Sequence, residues 1–236
     1  GLQQELLEAV YKVNKNIVLV LMNGRPLTIN WADANVPTIL EAWQLGTQSG
    51  NAIAQVLYGD YNPSGKLPMT FPKSVGQIPI YYNHKNTGRP TNSQNNVFWS
   101  HYIDESNDPL YVFGHGLSYT KFDYSNLQLS ANSFAAGGSV EVSCTLTNSG
   151  QYTGKEVVQL YIRDLAGSVT RPVKELKGFK MVELKPGESK QVTFTIDEKT
   201  IQFYTANNRW EAETGDFKVF VGGSSRTSLE GSFSFE

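Results

Sequence analysis

Carboxylates that could act together in hydrolysis occur at Asp104 and Glu105, within the polar stretch 104–109. Two carboxyl groups that work as acid and as base or nucleophile must flank the scissile bond, with roughly 5 to 10 Å between them. Adjacent residues of an extended segment point to opposite sides, so these two do not provide such a pair. Glu41 is a further, unpaired candidate. The pattern favours a solvated loop at 104–109 over a complete active site.

Histidine and cysteine side chains could bind a metal ion or act as nucleophiles. His84, His101 and His115 are 17 and 14 positions apart, whereas a zinc site usually contains a closely spaced pair of ligands. We therefore expect no metal ion. Cys144, the only cysteine, occupies an apolar position of an alternating stretch, which predicts a buried side chain and not a reactive thiol. No Gly-x-Ser-x-Gly motif marks a serine nucleophile.

A glycine-containing segment at 46–50, with the sequence GTQSG, precedes a predicted helix. It lacks the Gly-Lys-Ser/Thr ending with which a phosphate-binding loop reaches the phosphates and their metal ion. Small side chains at these positions more simply allow the helix to lie close to a sheet. The segment therefore does not predict phosphate binding.

The charge balance excludes other classes of function. The chain has 236 residues, of which 20 are Lys or Arg and 22 are Asp or Glu, so its net charge is −2. Binding to nucleic acid through counterion release needs a basic surface, so we expect no nucleic-acid partner. The longest apolar run, 17–22, is far shorter than the roughly 20 residues of a membrane helix, so we expect no membrane partner. Because Gly1 already begins a helical pattern, we expect the chain to start within a domain and to carry no signal peptide.

Residues 1 to about 60 have the pattern of an α/β structure. Apolar side chains at helical spacing predict a first helix, and the continuous apolar run 17–22 is typical of a strand that is covered on both faces of a parallel sheet. A second short apolar run follows at 39–43. Thr47 or Ser49 is then expected to cap a small helix that ends before Gly59 in the C′ position.

Residues 60 to 120 show no sustained periodicity but are rich in proline and aromatic residues, and they hold all three histidines. Disordered segments are depleted in aromatic residues, so disorder does not fit this composition. We expect an ordered, irregular region whose aromatic side chains pack against other parts of the chain. The aromatic residues in question are Phe71, Tyr81, Tyr82, Phe98, Trp99, Tyr102, Tyr111, Phe113 and Tyr119.

From about Lys121 the apolar residues alternate with polar ones. About seven short alternating segments, separated by turn signals such as 137–138 and 185–187, occupy roughly 110 residues. This pattern predicts an immunoglobulin-like or fibronectin-like sandwich. The expected fold is therefore α/β over residues 1–120, as part of an α/β sandwich domain, followed by an all-β sandwich over residues 121–236.

Several long motifs resemble glycoside hydrolase family 3, in particular its periplasmic β-glucosidase branch. They are 18–27 (VLVLMNGRPL), 59–72 (GDYNPSGKLPMTFP), 78–90 (IPIYYNHKNTGRP), 109–120 (PLYVFGHGLSYT) and 171–188, which is similar to the fibronectin type III-like domain that ends many members. The resemblance covers essentially the whole chain. It implies the end of the family's α/β sandwich domain followed by a fibronectin type III-like domain.

The resemblance also implies a chemistry. Members of the family hydrolyse terminal β-D-glucosyl residues with retention, and they use no metal ion or organic cofactor. An aspartate of an N-terminal barrel attacks the sugar, and a glutamate of the sandwich domain serves as acid and base. Both segments are expected upstream of Gly1, so no catalytic residue is assigned to this chain. We expect the chain to be inactive without the barrel domain as its partner. The resemblance further implies a periplasmic or secreted protein.

The aromatic loop region is where the resemblance places the meeting point of the sandwich domain and the barrel. Tyr82, Asn83, His84, Trp99 and His101 are therefore candidates for lining the mouth of a site for a β-glucoside or an oligosaccharide. Aromatic rings suit sugars because they offer apolar area beside polar edges. The alternative is that these side chains anchor an irregular loop to its own domain or to the barrel.

Two other functions stay open at this point. The chain is a natural non-catalytic module that binds carbohydrate or a partner chain, or it is an autonomous enzyme that uses Asp104 or Glu105. Hydrolysis by the chain alone would distinguish the last reading from the others. The sequence does not determine the preferred sugar, since glucosidases, xylosidases and N-acetylglucosaminidases share this architecture by resemblance.

Overall fold

A computed structural model describes residues 1–90, 99–227 and 229–236. The first 57 residues contain three helices and two strands, namely α1 (Gln3–Val13), β1 (Val18–Leu21), α2 (Asn30–Asn35), β2 (Thr38–Glu41) and α3 (Ser49–Leu57). Strands β1 and β2 pair in parallel, with Val18 opposite Thr38. The helix predicted from apolar spacing is α1, which confirms that prediction. No helix among the described residues is long and apolar enough to cross a membrane.

Two details of this part differ from expectation. The run 17–22 was expected to be covered on both faces, but Val18 is exposed and the rest of β1 is only half-buried. The faces of a strand are covered only where other elements pack above and below its sheet, and among the described residues β1 lies in a small sheet of two strands. Neither Thr47 nor Ser49 caps α3, since Gln48 precedes the helix without a side-chain cap. The Ser49 N–H instead closes a turn onto the Gly46 carbonyl at 3.0 Å.

The predicted end of α3 is confirmed. Gly59 lies in the C′ position with φ of +82°, and its N–H donates to the Val56 carbonyl at 3.2 Å. The region that follows contains a 3-10 helix (Val75–Gln77) and is otherwise irregular. It is ordered by pairing with itself, because the Phe71 N–H donates to the Tyr111 carbonyl at 2.9 Å and the Leu67 N–H to the His115 carbonyl at 2.8 Å. Phe98 lies outside the described residues.

The second half of the chain is a sandwich of two sheets, as predicted. One sheet has the order β4, β12, β11, β6, β7, formed by Ser133–Phe134, Leu229–Phe235, Gly215–Gly222, Gly154–Asp164 and Glu175–Leu184. The other has the order β3, β5, β8, formed by Phe122–Leu129, Ser139–Asn148 and Ser189–Asp197. A short helix α4 (Glu198–Ile201) and a small hairpin of β9 (Phe203–Tyr204) and β10 (Trp210–Glu211) connect β8 to β11.

The core of the sandwich follows the alternation of the sequence. On β5, Val140, Val142, Cys144 and Leu146 all point inward and are buried. They pack against the inward side chains of β6 and β11, among them Leu160 and Val219. The expectation that Cys144 is a buried apolar side chain is confirmed, and burial raises the pKa of its thiol to about 11.

The irregular region packs on the outer face of β6. Tyr161 of β6 is not part of the sandwich core and yet is completely buried, because Tyr82, which itself stacks on Phe113, packs against its ring. Gln159 of β6 donates to the carbonyls of Gly114, at 3.3 Å, and Gly223, at 2.7 Å. Aromatic and polar contacts thus join the two halves of the chain.

Candidate functional site

Tyr82, the first of the predicted site residues, is used for packing. Its ring stacks on Phe113 with 4.2 Å between centroids and meets Tyr161 edge-on at 5.8 Å. Its hydroxyl accepts a hydrogen bond from the Leu176 N–H at 3.2 Å. Tyr82 therefore anchors the loop to the sandwich.

His84 and Asn83 continue the same loop and are exposed. The His84 carbonyl accepts from the Val173 N–H at 2.9 Å, and its ring Nδ1 lies 3.2 Å from the Tyr81 carbonyl. The backbone of this segment is thus fixed to the loop before β7, while the two side chains face outward. Both are available to an external group.

Trp99 and His101 lie on a neighbouring segment. The Ser100 N–H donates to the Arg89 carbonyl at 2.9 Å, and the His101 Nδ1 lies 2.7 Å from the Trp99 carbonyl. His101 is exposed and Trp99 is half-buried. Among the described residues, no hydrogen bond or ring contact joins these two side chains to Tyr82 or His84.

Asp104 is exposed in an irregular bend, in agreement with the solvated-loop expectation, whereas Glu105 is half-buried. The Ser106 N–H donates to the Glu105 carboxylate at 2.8 Å, and the Lys73 ammonium lies 3.6 Å from it. The hydrogen bond, followed by the charge of Lys73, lowers the pKa of Glu105. A carboxyl with a lowered pKa stays ionised at neutral pH and is unsuited to act as a general acid.

Glu41, which the sequence suggested as an unpaired candidate, lies at the end of β2 beside Asn23 and Trp43, which the sequence did not suggest. Its Oε1 accepts from the Trp43 N–H at 2.9 Å, and its Oε2 accepts from the Asn23 side-chain amide at 3.3 Å. Burial raises the pKa of Glu41, and these hydrogen bonds oppose that effect. Asn23, Glu41 and Trp43, here called the strand-end cluster, therefore converge where the parallel strands β1 and β2 end.

Two features set the strand-end cluster apart from ordinary packing. The Asn23 Oδ1 is buried and has no hydrogen-bond partner among the described residues. Trp43 adopts φ of +50°, a left-handed conformation that is uncommon for a bulky side chain. In open α/β sheets, ligands bind outside the carboxyl ends of the strands. The signal in the sequence was the position of Asn23 directly after the apolar run 17–22 and of Trp43 at the end of the run 39–43.

A row of aromatic contacts leads away from the strand-end cluster. Trp43 meets Phe71 edge-on at 5.9 Å, Phe71 meets Tyr111 at 6.0 Å, and Tyr111 stacks on His115 at 5.1 Å. The Tyr111 hydroxyl donates to Asp33 of α2. Burial, strengthened by the nearby Asp33 carboxylate, raises the pKa of Tyr111, so its hydroxyl remains a donor.

The arrangement provides hydrogen-bonding groups but not a hydrolytic pair. Among the described residues, Glu41 is engaged by Asn23 and Trp43, whereas Glu105 is engaged by Ser106 and Lys73. The described part of the chain also contains no group of three or more His, Cys, Asp or Glu side chains that could hold a metal ion.

Comparisons with family models agree with this architecture. Residues 1–119 match the glycosyl hydrolase family 3 C-terminal domain, and residues 156–225 match a fibronectin type III-like domain. The first match accounts for half of the chain and contains the strand-end cluster and all five predicted site residues.

Similar proteins are longer than this chain. It is 50% identical to a periplasmic β-glucosidase of Salmonella typhimurium and 44% identical to a β-xylosidase of Formosa agariphila. These alignments cover 98% and 96% of the chain but only 30% of each relative. A β-glucosidase of Listeria innocua in complex with glucose superposes with a TM-score of 0.94 at 40% identity, over 99% of this chain and 32% of that one. By fold, motifs and family match, the chain belongs to glycosyl hydrolase family 3 and corresponds to the C-terminal region of its members.

Proposed function

We propose that this chain is the C-terminal part of a retaining, exo-acting β-glucosidase that removes terminal β-D-glucosyl residues. The observation that carries the proposal is the 50% identity to a periplasmic β-glucosidase over nearly the whole chain. The nucleophile and the acid/base are proposed to belong to the region that the relatives have and this alignment does not cover, since the alignment spans only 30% of the periplasmic β-glucosidase. The name of the relative also supports a periplasmic or secreted location.

Within that enzyme, we assign two roles to the first half of the chain. The strand-end cluster is proposed to lie beside the catalytic region, because the Asn23 Oδ1 is buried, has no hydrogen-bond partner among the described residues, and lies at the edge where α/β sheets bind ligands. Asn83, His84, Trp99 and His101 are proposed to line the mouth of the site. Tyr82 is proposed to border it while holding the loop on the sandwich. The boundary between the two domains is proposed at 120/121, just before β3 begins at Phe122.

A terminal β-xyloside is a second candidate substrate, because the β-xylosidase relative is nearly as similar as the β-glucosidase. Both relatives cover the chain almost completely, so similarity alone does not choose between the two sugars. Parallel assays with aryl β-glucoside and aryl β-xyloside decide the preference.

The test is to assay residues 1–236 alone and joined to an upstream barrel region. We expect no turnover of either aryl glycoside by the chain alone and clear turnover by the longer protein. As a control, the longer protein is prepared with its barrel nucleophile replaced, which should abolish turnover. Hydrolysis by the purified chain of residues 1–236 would overturn the proposal, because the catalytic carboxylates would then lie within this chain, with Glu41, Asp104 and Glu105 as the candidates.

A further inference from the structure

A groove of about 610 Å³ opens on the surface of the sandwich, where β7, α4 and β10 meet. All of its lining residues belong to the second half of the chain. None of the strand-end cluster lines it, although Tyr82 approaches it through the hydrogen bond from the Leu176 N–H. Its volume falls within the range of small-ligand sites, roughly 300 to 1,000 Å³.

One wall of the groove is an exposed aromatic pair. Trp210 is 67% exposed and lines the groove, and Tyr204, its partner across the β9–β10 hairpin, is 52% exposed. The two rings meet edge-on with 6.0 Å between centroids. Part of their area stabilises the hairpin, but most of the indole surface remains open. Open aromatic area beside polar groups suits a ligand that has both an apolar face and hydrogen-bonding edges.

The polar groups of the groove include side chains that are not used by the fold. The side-chain amide of Gln202 is half-buried and makes no hydrogen bond with any described residue. The ammonium of Lys199 likewise makes no hydrogen bond within the described part of the chain. Asp197 uses Oδ1 to cap α4 by accepting from the Thr200 N–H at 2.8 Å. The groove thus presents donors and acceptors next to the indole.

The charged side chains that line the groove are Lys177, Lys199 and Asp197, which leaves a small excess of positive charge. Glu175 lies 3.9 Å from Lys177 but outside the lining, and Arg171 holds it at 2.7 Å. Hydrogen bonds from Thr200, followed by the charge of Lys199, lower the pKa of Asp197, so this carboxylate stays ionised. An anionic ligand would be repelled by Asp197, whereas a neutral ligand with many hydroxyl groups can use both the aromatic wall and the polar groups.

We propose that this groove binds a neutral oligosaccharide. One sugar ring lies on the exposed face of Trp210, with Tyr204 beside it. Gln202, Lys199 and the free oxygen of Asp197 exchange hydrogen bonds with its hydroxyl groups. The proposal concerns binding only and does not depend on hydrolysis elsewhere in the enzyme.

The test is a titration of residues 1–236 with laminarihexaose and with cellohexaose, followed by calorimetry and by tryptophan fluorescence. We expect saturable binding of at least one of them. Trp210→Ala should weaken it tenfold or more, as is typical of a central aromatic contact. Tyr204→Ala and Gln202→Ala should weaken it several-fold. The matched control is Tyr152→Ala, which removes a 62% exposed tyrosine far from the groove in sequence and should leave binding unchanged.

Because Trp210 and Tyr204 support each other, the thermal unfolding of each variant is measured in parallel. Trp210→Phe retains an aromatic ring at this position and should remove the part of the sugar-dependent fluorescence change that comes from the groove, while the chain remains folded and any signal from Trp99 persists. The proposal is overturned if neither oligosaccharide binds, or if all variants bind like the wild type. It is also overturned if binding disappears in the longer, barrel-containing protein, since the groove would then be an internal interface. Hydrolytic activity plays no part in this readout, so the proposed function fails or holds independently.

Discussion

At the residue scale, Cys144 illustrates how a strand position determines chemical reactivity. The side chain is 1% exposed and burial raises the pKa of its thiol to about 11, so roughly one thiol in a thousand is ionised at pH 8. Because the thiolate is the reactive form, we expect no labelling of the folded chain by Ellman's reagent over several hours. In urea the same thiol should react within minutes.

A second cysteine on the same strand provides the control for this prediction. Glu141 lies three positions before Cys144, on the opposite face of β5, and is exposed. In Glu141→Cys we expect one of the two thiols to react rapidly in the folded chain. Rapid labelling of the wild-type chain at pH 8 would mean that β5 does not bury Cys144 as the structure has it.

His115 provides a pH-dependent prediction at the same scale. Burial lowers the pKa of its imidazole, Lys66 and Arg226 add to this effect, and Asp33 opposes it. As the pH falls through about 6.5, the unfolded chain therefore takes up a proton that the folded chain resists. Stability should fall between pH 7.5 and pH 5.5 for this reason.

The variant that isolates this effect is His115→Phe, which keeps a ring to stack on Tyr111 but does not titrate. Its free energy of unfolding in urea should fall less between pH 7.5 and pH 5.5 than that of the wild type. The carboxylates of the chain titrate in both proteins, so the difference between the two slopes is the quantity of interest. Identical slopes would contradict the prediction.

At the scale of elements, two glycines with positive φ are expected to behave differently. Gly114, with φ of +79°, is packed so closely that an added Cβ would lie 2.3 Å from the Gln159 side-chain oxygen. Gly187, with φ of +74° in the β7–β8 turn, has open space around its Cβ position. Gly187→Ala should therefore cost only the backbone strain, about 1 kcal/mol. Gly114→Ala adds overpacking and should cost about 3 kcal/mol.

Denaturant unfolding of both glycine variants measures this contrast. Gln159 also donates to the Gly114 carbonyl and so has little freedom to move aside. The double variant Gly114→Ala with Gln159→Ala should recover part of the loss by removing the clashing atoms. Equal costs for the two single variants would show that the contact between the irregular region and β6 is looser than described.

The sandwich was predictable from the sequence because the alternation of apolar and polar residues that marks each strand lies within a short stretch of chain. Alternation along 140–146 places Val140, Val142, Cys144 and Leu146 on one face of β5, and all four are buried. The cap of α3 was not predictable by residue type, since the turn before it is closed by the Ser49 backbone and not by a hydroxyl. The burial of β1 depends on elements packed on the two faces of its sheet, which no local pattern describes.

The candidate site was harder to predict because its parts are distant in sequence. Glu41 stood out as a carboxylate, but its contact with Asn23 exists only because β1 and β2 pair in parallel. The packing role of Tyr82 depends on Tyr161, which lies 79 positions further along. The family resemblance suggested Tyr82 as a residue at the mouth of the site, with anchoring of the loop as the alternative, and the long-range contacts agree with that alternative.

At the scale of the whole molecule, a buried ion pair connects the two halves. The Lys66 ammonium lies 3.0 Å from the Glu156 carboxylate of β6 and also donates to the Gly116 carbonyl at 3.1 Å. Tyr124 of β3 donates to the same carboxylate at 2.8 Å. With side chains 14% and 7% exposed, Lys66 and Glu156 are both largely withdrawn from water. The halves should therefore unfold together.

The variant that tests this coupling is Lys66→Met, which keeps the apolar stem but leaves the Glu156 carboxylate buried without its cation. Removing one partner of a buried ion pair costs about 3 kcal/mol, so the free energy of unfolding in urea should fall by that amount. The matched control is Lys155→Met, since Lys155 lies on β6 next to Glu156. Lys155 and Glu183 form an ion pair at 3.7 Å, and their side chains are 42% and 59% exposed. An exposed pair contributes under about 1 kcal/mol. Equal losses, or two separate unfolding transitions in the wild type, would contradict the prediction, because the ion pair would then not couple the halves.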